Sequence, residues 1–213
     1  MKILHMDCSP RHESHSRKLS AALVSQLSVN ASSVTIVRRD LGREPIPHLD
    51  TDYATALSSP TELAAIQSSI ALSLSEHLIR EVEAADVIVI GTPMNNFTIP
   101  SVLKAWIDQI LRMGRTIGTS PSGDKMGLLK DKPVYIGVAS GGVFTGPGAK
   151  QPDFLIPYLT IALGCVGLQS LQFFPLQATA FLDAEKLALD RQRLIESMTA
   201  APSNTLVNTL VNN

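Results

Sequence analysis

Only two cysteines, Cys8 and Cys165, occur in 213 residues, with no CxxC pair and no histidine spacing suited to zinc. A disulfide framework is therefore not expected, and no metal site is read in the chain. Charge of one sign is also lacking: 18 Lys and Arg stand against 19 Asp and Glu, a net −1. Nucleic acids and anionic membranes are held by a basic stripe that displaces counterions, so neither is an expected partner. Long apolar runs are missing too. The longest, around Leu155 to Leu168, is interrupted by Pro157 and Tyr158 and falls short of the roughly 20 residues that cross a bilayer. The opening Met1 to Asp7 carries one basic residue and an apolar run too short for a signal peptide. The expectation is a cytoplasmic protein with reduced thiols that acts on small molecules.

What is present is aliphatic. A hydrophobic fraction of 45% with only 17% charged and 5% aromatic residues suits a parallel sheet buried on both faces. The length fits one core, read as a single domain over residues 1–200, with residues 201–213 a tail that frays. β-type runs fall at Ile3–Met6, Val34–Val37, Val87–Ile90, Val134–Val138 and Leu168–Phe174. Helical spacing falls at Arg17–Leu27, Ser101–Met113, Phe154–Leu163 and Asp183–Met198. A further helix is expected from a capping box at Ser59-Pro60-Thr61-Glu62 to about Ala85. The stretch Gly114–Lys132 reads as a long loop or hairpin. Strict alternation of five strands and five helices implies an α/β fold with a three-layer, doubly wound, five-stranded parallel sheet, whose ligands lie beyond the carboxyl ends of the strands.

Three strand-end loops therefore matter. The first, Asp7 to Arg17, holds Ser9, Ser14, His15 and Ser16 with Arg11 and Arg17 where a helix begins. Free amides and the helix dipole favour an anion there, and a phosphate would fit. The loop has no glycine, and neither GxxxxGK[ST] nor GxGxxG occurs, which argues against ATP or Rossmann-type dinucleotide binding. Without a ligand, Ser14 or Ser16 would be an ordinary N-cap and Arg17 a solvated first-turn residue.

The second loop follows the third strand: Pro93-Met94-Asn95-Asn96-Phe97-Thr98-Ile99-Pro100, continuing Ser101-Val102-Leu103-Lys104-Ala105-Trp106-Ile107-Asp108. Prolines at both ends stiffen a platform suited to a planar ring. Trp106, on an apolar helix face, reads as core. The third loop, Ala139-Ser140-Gly141-Gly142-Val143-Phe144, pairs glycines so that backbone amides can approach a ligand; alone, such a pair is usually just a turn.

The Pro-Met-x-Asn-Phe-x-Ile-Pro-Ser-x-Leu-Lys-x-Trp-x-Asp pattern resembles that of the FMN-dependent NADH-azoreductases and NAD(P)H:quinone reductases, which have a flavodoxin-like fold. The resemblance extends through Gly114–Ile117, Gly127–Leu129 and Pro157–Leu159. It implies FMN held by Ser9, Ser14, His15 and Ser16 at its phosphate, by Pro93, Met94, Asn95, Asn96 and Phe97 along the ring, and by Ser140, Gly141 and Gly142 at the pyrimidine edge. Family members often carry an aromatic residue where this chain has Asn95, and Ser-Arg-Gly-Gly where it has Ala-Ser-Gly-Gly. The resemblance further implies two-electron transfer from NADH or NADPH to quinones and aromatic azo compounds in a ping-pong cycle, by a homodimer whose partner completes the substrate pocket. Donors near flavin N1 and O2 would stabilise the reduced ring. The alternative from another class is a flavodoxin-like one-electron carrier serving a protein partner. A receiver domain is disfavoured, since Asp7 stands alone and Pro93 replaces a phosphoacceptor. His5, His12, His15, His48 and His77 form no evident dyad, and no side chain is assigned a catalytic role.

Overall fold

The computed structural model describes residues 1–29, 31–58 and 72–200. The chain runs β1 (Lys2–Asp7), α1 (His15–Ser28), β2 (Thr35–Asp40), α2 (Thr51–Ser58), α3 (Ser73–Ala84), β3 (Val87–Pro93) and α4 (Ser101–Ile110). It continues through β4 (Ile117–Thr119), β5 (Lys125–Gly127), β6 (Val134–Ala139), α5 (Leu155–Val166), β7 (Leu171–Leu176) and α6 (Ala184–Ala200). Five strands form one sheet in the order β2-β1-β3-β6-β7, with every neighbouring pair parallel. This is the doubly wound order, and it puts the reversal of winding between β1 and β3.

Alternation along the central strands builds the two faces. Leu4, Met6, Ile88, Ile90, Ile136 and Val138 pack with Leu78, Val82, Leu103, Trp106 and Leu159, which come from α3, α4 and α5. Ile3, Val87 and Val89 point the other way onto Leu19 and Leu23 of α1 and Leu187 and Ile195 of α6. A strand's period of two thus serves two cores, as a sheet covered on both sides requires. Trp106 is fully buried, as its helix face predicts.

The expected elements recur with shifted ends. α1 starts two residues early because Ser14, not a later residue, caps it. β3 runs on through Gly91-Thr92-Pro93, since its ladder to β6 continues to Pro93↔Ala139. β7 begins at Leu171 rather than Leu168, and Leu168 packs into the core ahead of the strand. The Gly114–Lys132 stretch contains the antiparallel hairpin β4–β5. Pro45 and Pro47 suggest a loop leading to residue 59, yet residues 51–58 are helical; Asp50 accepts from the Tyr53 amide at 2.8 Å and starts that helix as a cap. The capping box at 59–62 and the tail at 201–213 lie outside the described residues.

Candidate functional site

Loop one is built on α1's cap. Ser14 is extended (φ −69°, ψ 139°), its Oγ accepts from the Ser16 amide at 3.3 Å and pairs with Ser16 Oγ at 2.9 Å. Ser9, Ser14 and Ser16 are all buried. The amides of His15 and Arg17 donate to nothing among the described residues, so the first turn keeps free donors beside three hydroxyls. His15 Nδ1 is buried and lacks a partner among the described residues. Burial, then Lys18, Arg11 and Arg191, lower its pKa and keep the ring neutral. These orphan donors and the positive helix end fit a phosphate.

Arg17 is neither solvated nor aimed at that anion position. Its Nε and Nη2 donate to the Ser9 carbonyl at 2.9 and 2.6 Å, and its guanidinium binds both Asp40 oxygens, one at 2.8 Å. Asp7 lies 3.6 Å away. Arg17 is therefore a buckle that ties loop one to the end of β2. Beneath it, Ser20 Oγ donates to Asp7 at 2.8 Å and must then accept from His5 Nε2 at 3.0 Å. Arg38 donates to His5 Nδ1 at 3.3 Å. Both ring nitrogens are thereby assigned and the imidazole is neutral, in keeping with a pKa lowered chiefly by burial against the opposing pull of Asp7. Cys8 is fully buried and its thiol pKa is pushed up by burial and by Asp7, which makes it inert.

Loop two is a tight turn. Asn95 N–H donates to Thr98 O at 2.9 Å and Thr98 N–H returns to Asn95 O at 3.0 Å, while Asn96 and Phe97 have φ of 48° and 71°. Two positive φ values make a type I′ turn, normally filled by Asn-Gly. Asn supports it; a phenylalanine there carries strain, of the kind that gathers at functional sites. Asn95, Asn96 and Phe97 are exposed, with Phe97 at 45%. The Phe97 carbonyl accepts from Phe154 N–H at 3.0 Å.

Loop three meets loop two through Met94, whose amide donates to Ala139 O at 2.9 Å. Ser140 Oγ lies 3.8 Å from the Met94 sulfur. Gln177, immediately after β7, accepts from the amides of Phe144 and Thr145 at 2.7 and 2.9 Å and fixes the far end of the glycine segment. The amides of Gly141, Gly142 and Val143 donate to nothing among the described residues. Gln151 also reaches into this corner: its Nε2 donates to Ser140 Oγ at 2.9 Å and lies 3.3 Å from the Met94 sulfur.

All twelve residues expected from the sequence thus lie at the carboxyl ends of the neighbouring strands β1, β3 and β6: Pro93 closes β3, His15 and Ser16 open α1, and the other nine are on the loops that follow the strands. Gln151, Gln177, and the Arg17–Asp40 buckle were not expected. Gln177 had a signal, being the first residue past a strand's carboxyl end; Gln151, inside a long loop, had none.

Such an arrangement defines a flavodoxin-like α/β protein with its candidate site at the switch point. A family model described as flavodoxin-like fold matches residues 1–198. An FMN-dependent NADH:quinone oxidoreductase of Pseudomonas fluorescens is 46% identical over 193 residues, 90% of this chain and 91% of that protein. One from Herminiimonas arsenicoxydans is 37% identical over 96% of both chains. The chain belongs to the family of FMN-dependent NADH:quinone oxidoreductases. In fold it is similar to an FMN-dependent NADH-azoreductase of Bacillus anthracis solved in complex with FMN, with a TM-score of 0.76, 22% identity and coverage of 93% of this chain and 98% of that one.

Proposed function

We propose that this protein binds FMN and transfers two electrons from NADH to quinones and aromatic azo compounds in a ping-pong cycle. The observation that carries the reading is the grouping of free amide donors at two places on one sheet edge, the start of α1 and Gly141–Val143. Kinship at 46% identity supports the same chemistry. FMN, when bound, supplies the hydride and electron chemistry that no side chain here offers.

The protein's own part is to bind and orient. The α1 amides with Ser9, Ser14, His15 and Ser16 hold the phosphate. Pro93, Met94, Asn95, Asn96 and Phe97 form a wall along the ring, stiffened by the I′ turn. The Gly141–Val143 amides, on a segment whose far end Gln177 holds, would face the negative charge that collects on reduction and favour it at little reorganisation cost. Ser140 anchors Met94 against this segment. No residue is assigned as nucleophile or proton donor.

The functional unit we propose is a homodimer. Helix α5 contains no charged residue, yet Ile161 is 69% exposed and the preceding Phe154 61% exposed. Surface helices normally carry a polar stripe, so an apolar outward face beside loop two suits a second copy. A cytoplasmic location fits the free Cys8 and Cys165. Among the described residues no helix is long and apolar enough to cross a membrane.

The test is an absorption spectrum of the purified protein with FMN, before and after anaerobic NADH, then with a quinone. Flavin bands that bleach with NADH and return with quinone are expected. Failure to bind FMN overturns the reading; binding with no response to NADH would favour a one-electron carrier.

A further inference from the structure

The glycine segment of loop three offers hydrogen-bond donors and almost nothing else. Its carbonyls are already engaged: Ser140 O accepts from Thr179 N–H at 3.0 Å, Gly141 O from Ala180 N–H at 3.3 Å, Gly142 O from Ala178 N–H at 3.2 Å, and Val143 O from Lys150 N–H at 3.0 Å. Residues 178–180, after β7, engage three of these acceptors and Lys150 the fourth, and Ala178 has a φ of 57°. What remains facing outward is the row of unpaired amides at Gly141, Gly142 and Val143.

The pyrimidine edge of an isoalloxazine ring does not match a row of donors. It reads acceptor, donor, acceptor: carbonyl O4, N3–H, carbonyl O2. Amides can satisfy the two carbonyls, but N3–H pressed against them would be left without a partner, at a cost comparable to a lost hydrogen bond. An acceptor must stand beside the glycines.

Gln151 supplies one. The faces of its carboxamide are fixed by chemistry: sulfur is a weak acceptor and no donor, so the group 3.3 Å from Met94 Sδ is the nitrogen, which also donates to Ser140 Oγ. The oxygen then turns towards Gly142, where a Cβ on residue 142 would sit only 2.8 Å from it. Gln151 Oε1 accepts no hydrogen bond among the described residues. A pre-anchored carbonyl with an open lone pair therefore lies against the donor row.

We infer that Gln151 is a flavin-binding residue whose Oε1 accepts from ring N3–H, completing an acceptor–donor–acceptor reading of the pyrimidine edge. The inference rests on the proposed binding of FMN. Glycine at 142 belongs to the same device, since any side chain there displaces the carboxamide.

The test pairs protein and ligand changes. FMN and its N3-methyl analogue, which lacks the N3 proton, are titrated into apoprotein, and binding is followed by flavin fluorescence. Wild type should favour FMN by about tenfold, the value of one hydrogen bond. Gln151→Ala should bring that ratio close to one. Gln151→Glu, which keeps an acceptor but loses the Nε2 anchor, should retain the preference. An unchanged ratio in Gln151→Ala overturns the inference and assigns N3–H to another acceptor, such as Asn95 or Asn96; a ratio lost in Gln151→Glu overturns the acceptor role. Wild type that binds neither ligand would instead overturn the proposed function.

Discussion

Replacing Arg17 by methionine should cost more stability than any other single surface-proximal change near the site. The methionine keeps most of the aliphatic stem and deletes the guanidinium. That removes two hydrogen bonds to the Ser9 carbonyl and the paired contact with Asp40, and leaves Asp7 without the cation 3.6 Å away. The side chains of Arg17, Asp7 and Asp40 are 14%, 11% and 27% exposed. Deleting one member of a fully buried pair costs about 3–5 kcal/mol. Because Asp40 is partly wetted and water can re-solvate it, the expected loss is about 2–3 kcal/mol.

The loss should depend on pH in a direction fixed by Asp40. Burial acts to raise its pKa, but the hydrogen bond and charge of Arg17 prevail and hold it below the ordinary aspartate range. A depressed folded-state pKa means the pair's contribution is full above the unfolded value and is lost as pH falls through the folded one. Urea unfolding of apoprotein at fixed concentration, followed by the single buried tryptophan, Trp106, reads this directly. The Arg17→Met deficit should be largest at neutral pH and shrink at acid pH. A deficit below about 0.5 kcal/mol, or one independent of pH, would refute the buckle.

Two further outcomes follow from the same geometry. Phe97→Gly should shift apoprotein stability by less than about 1 kcal/mol, because relief of the left-handed penalty at φ 71° is offset by loss of the side chain's buried half and by the chain entropy of glycine, while weakening FMN binding; thermal unfolding and flavin titration measure both. Glu76, whose pKa is lowered to about 2 by its hydrogen bond with Arg115 and then the charge of Arg115 and the bond of Arg112, against burial, contributes stability above pH 4.5 that is lost as pH falls towards 2. Glu76→Gln should remove that part of the acid slope and cost about 1–3 kcal/mol at pH 7, read by urea unfolding across pH.

The parts of the fold legible in the sequence were those set by local periodicity. Val87–Ile90 reads as a buried strand because four β-branched residues leave no other face to expose, and the Pro93–Asp108 motif marks the turn after β3 that we propose as the wall along the ring. What the sequence did not disclose depends on contacts between distant segments. Arg17 reads as a phosphate ligand or a solvated residue until Asp40, 23 residues on, is seen to capture it. Gln151 has no periodic or motif context, and its role exists only because Met94 and Ser140 come within reach of its amide. The helix at 51–58 was hidden for a different reason: prolines at 45 and 47 suggest a loop, and only Asp50 marks the start of the helix.

The position of the site itself is set by two glycines that carry no ligand-binding role. At Gly91, in β3, an added Cβ would meet Ser20 Oγ at 2.6 Å and the Ser16 carbonyl at 2.8 Å. The Ser16 contact is backbone in the first turn of α1, so a side chain at 91 would push the helix start away from the sheet. At Gly42, past the end of β2, a Cβ would meet the Ser9 carbonyl at 2.1 Å, the atom that Arg17 holds from the other side. Loop one and the first turn of α1 thus lie against β3 and the turn after β2, and the absence of side chains at 91 and 42 permits that close approach. A mononucleotide needs its phosphate and its ring recognised at once. On the proposed function, the two glycines fix how closely loop one and the start of α1 approach the sheet, and so where the phosphate would be held, while the polar residues on the loops would decide what is bound.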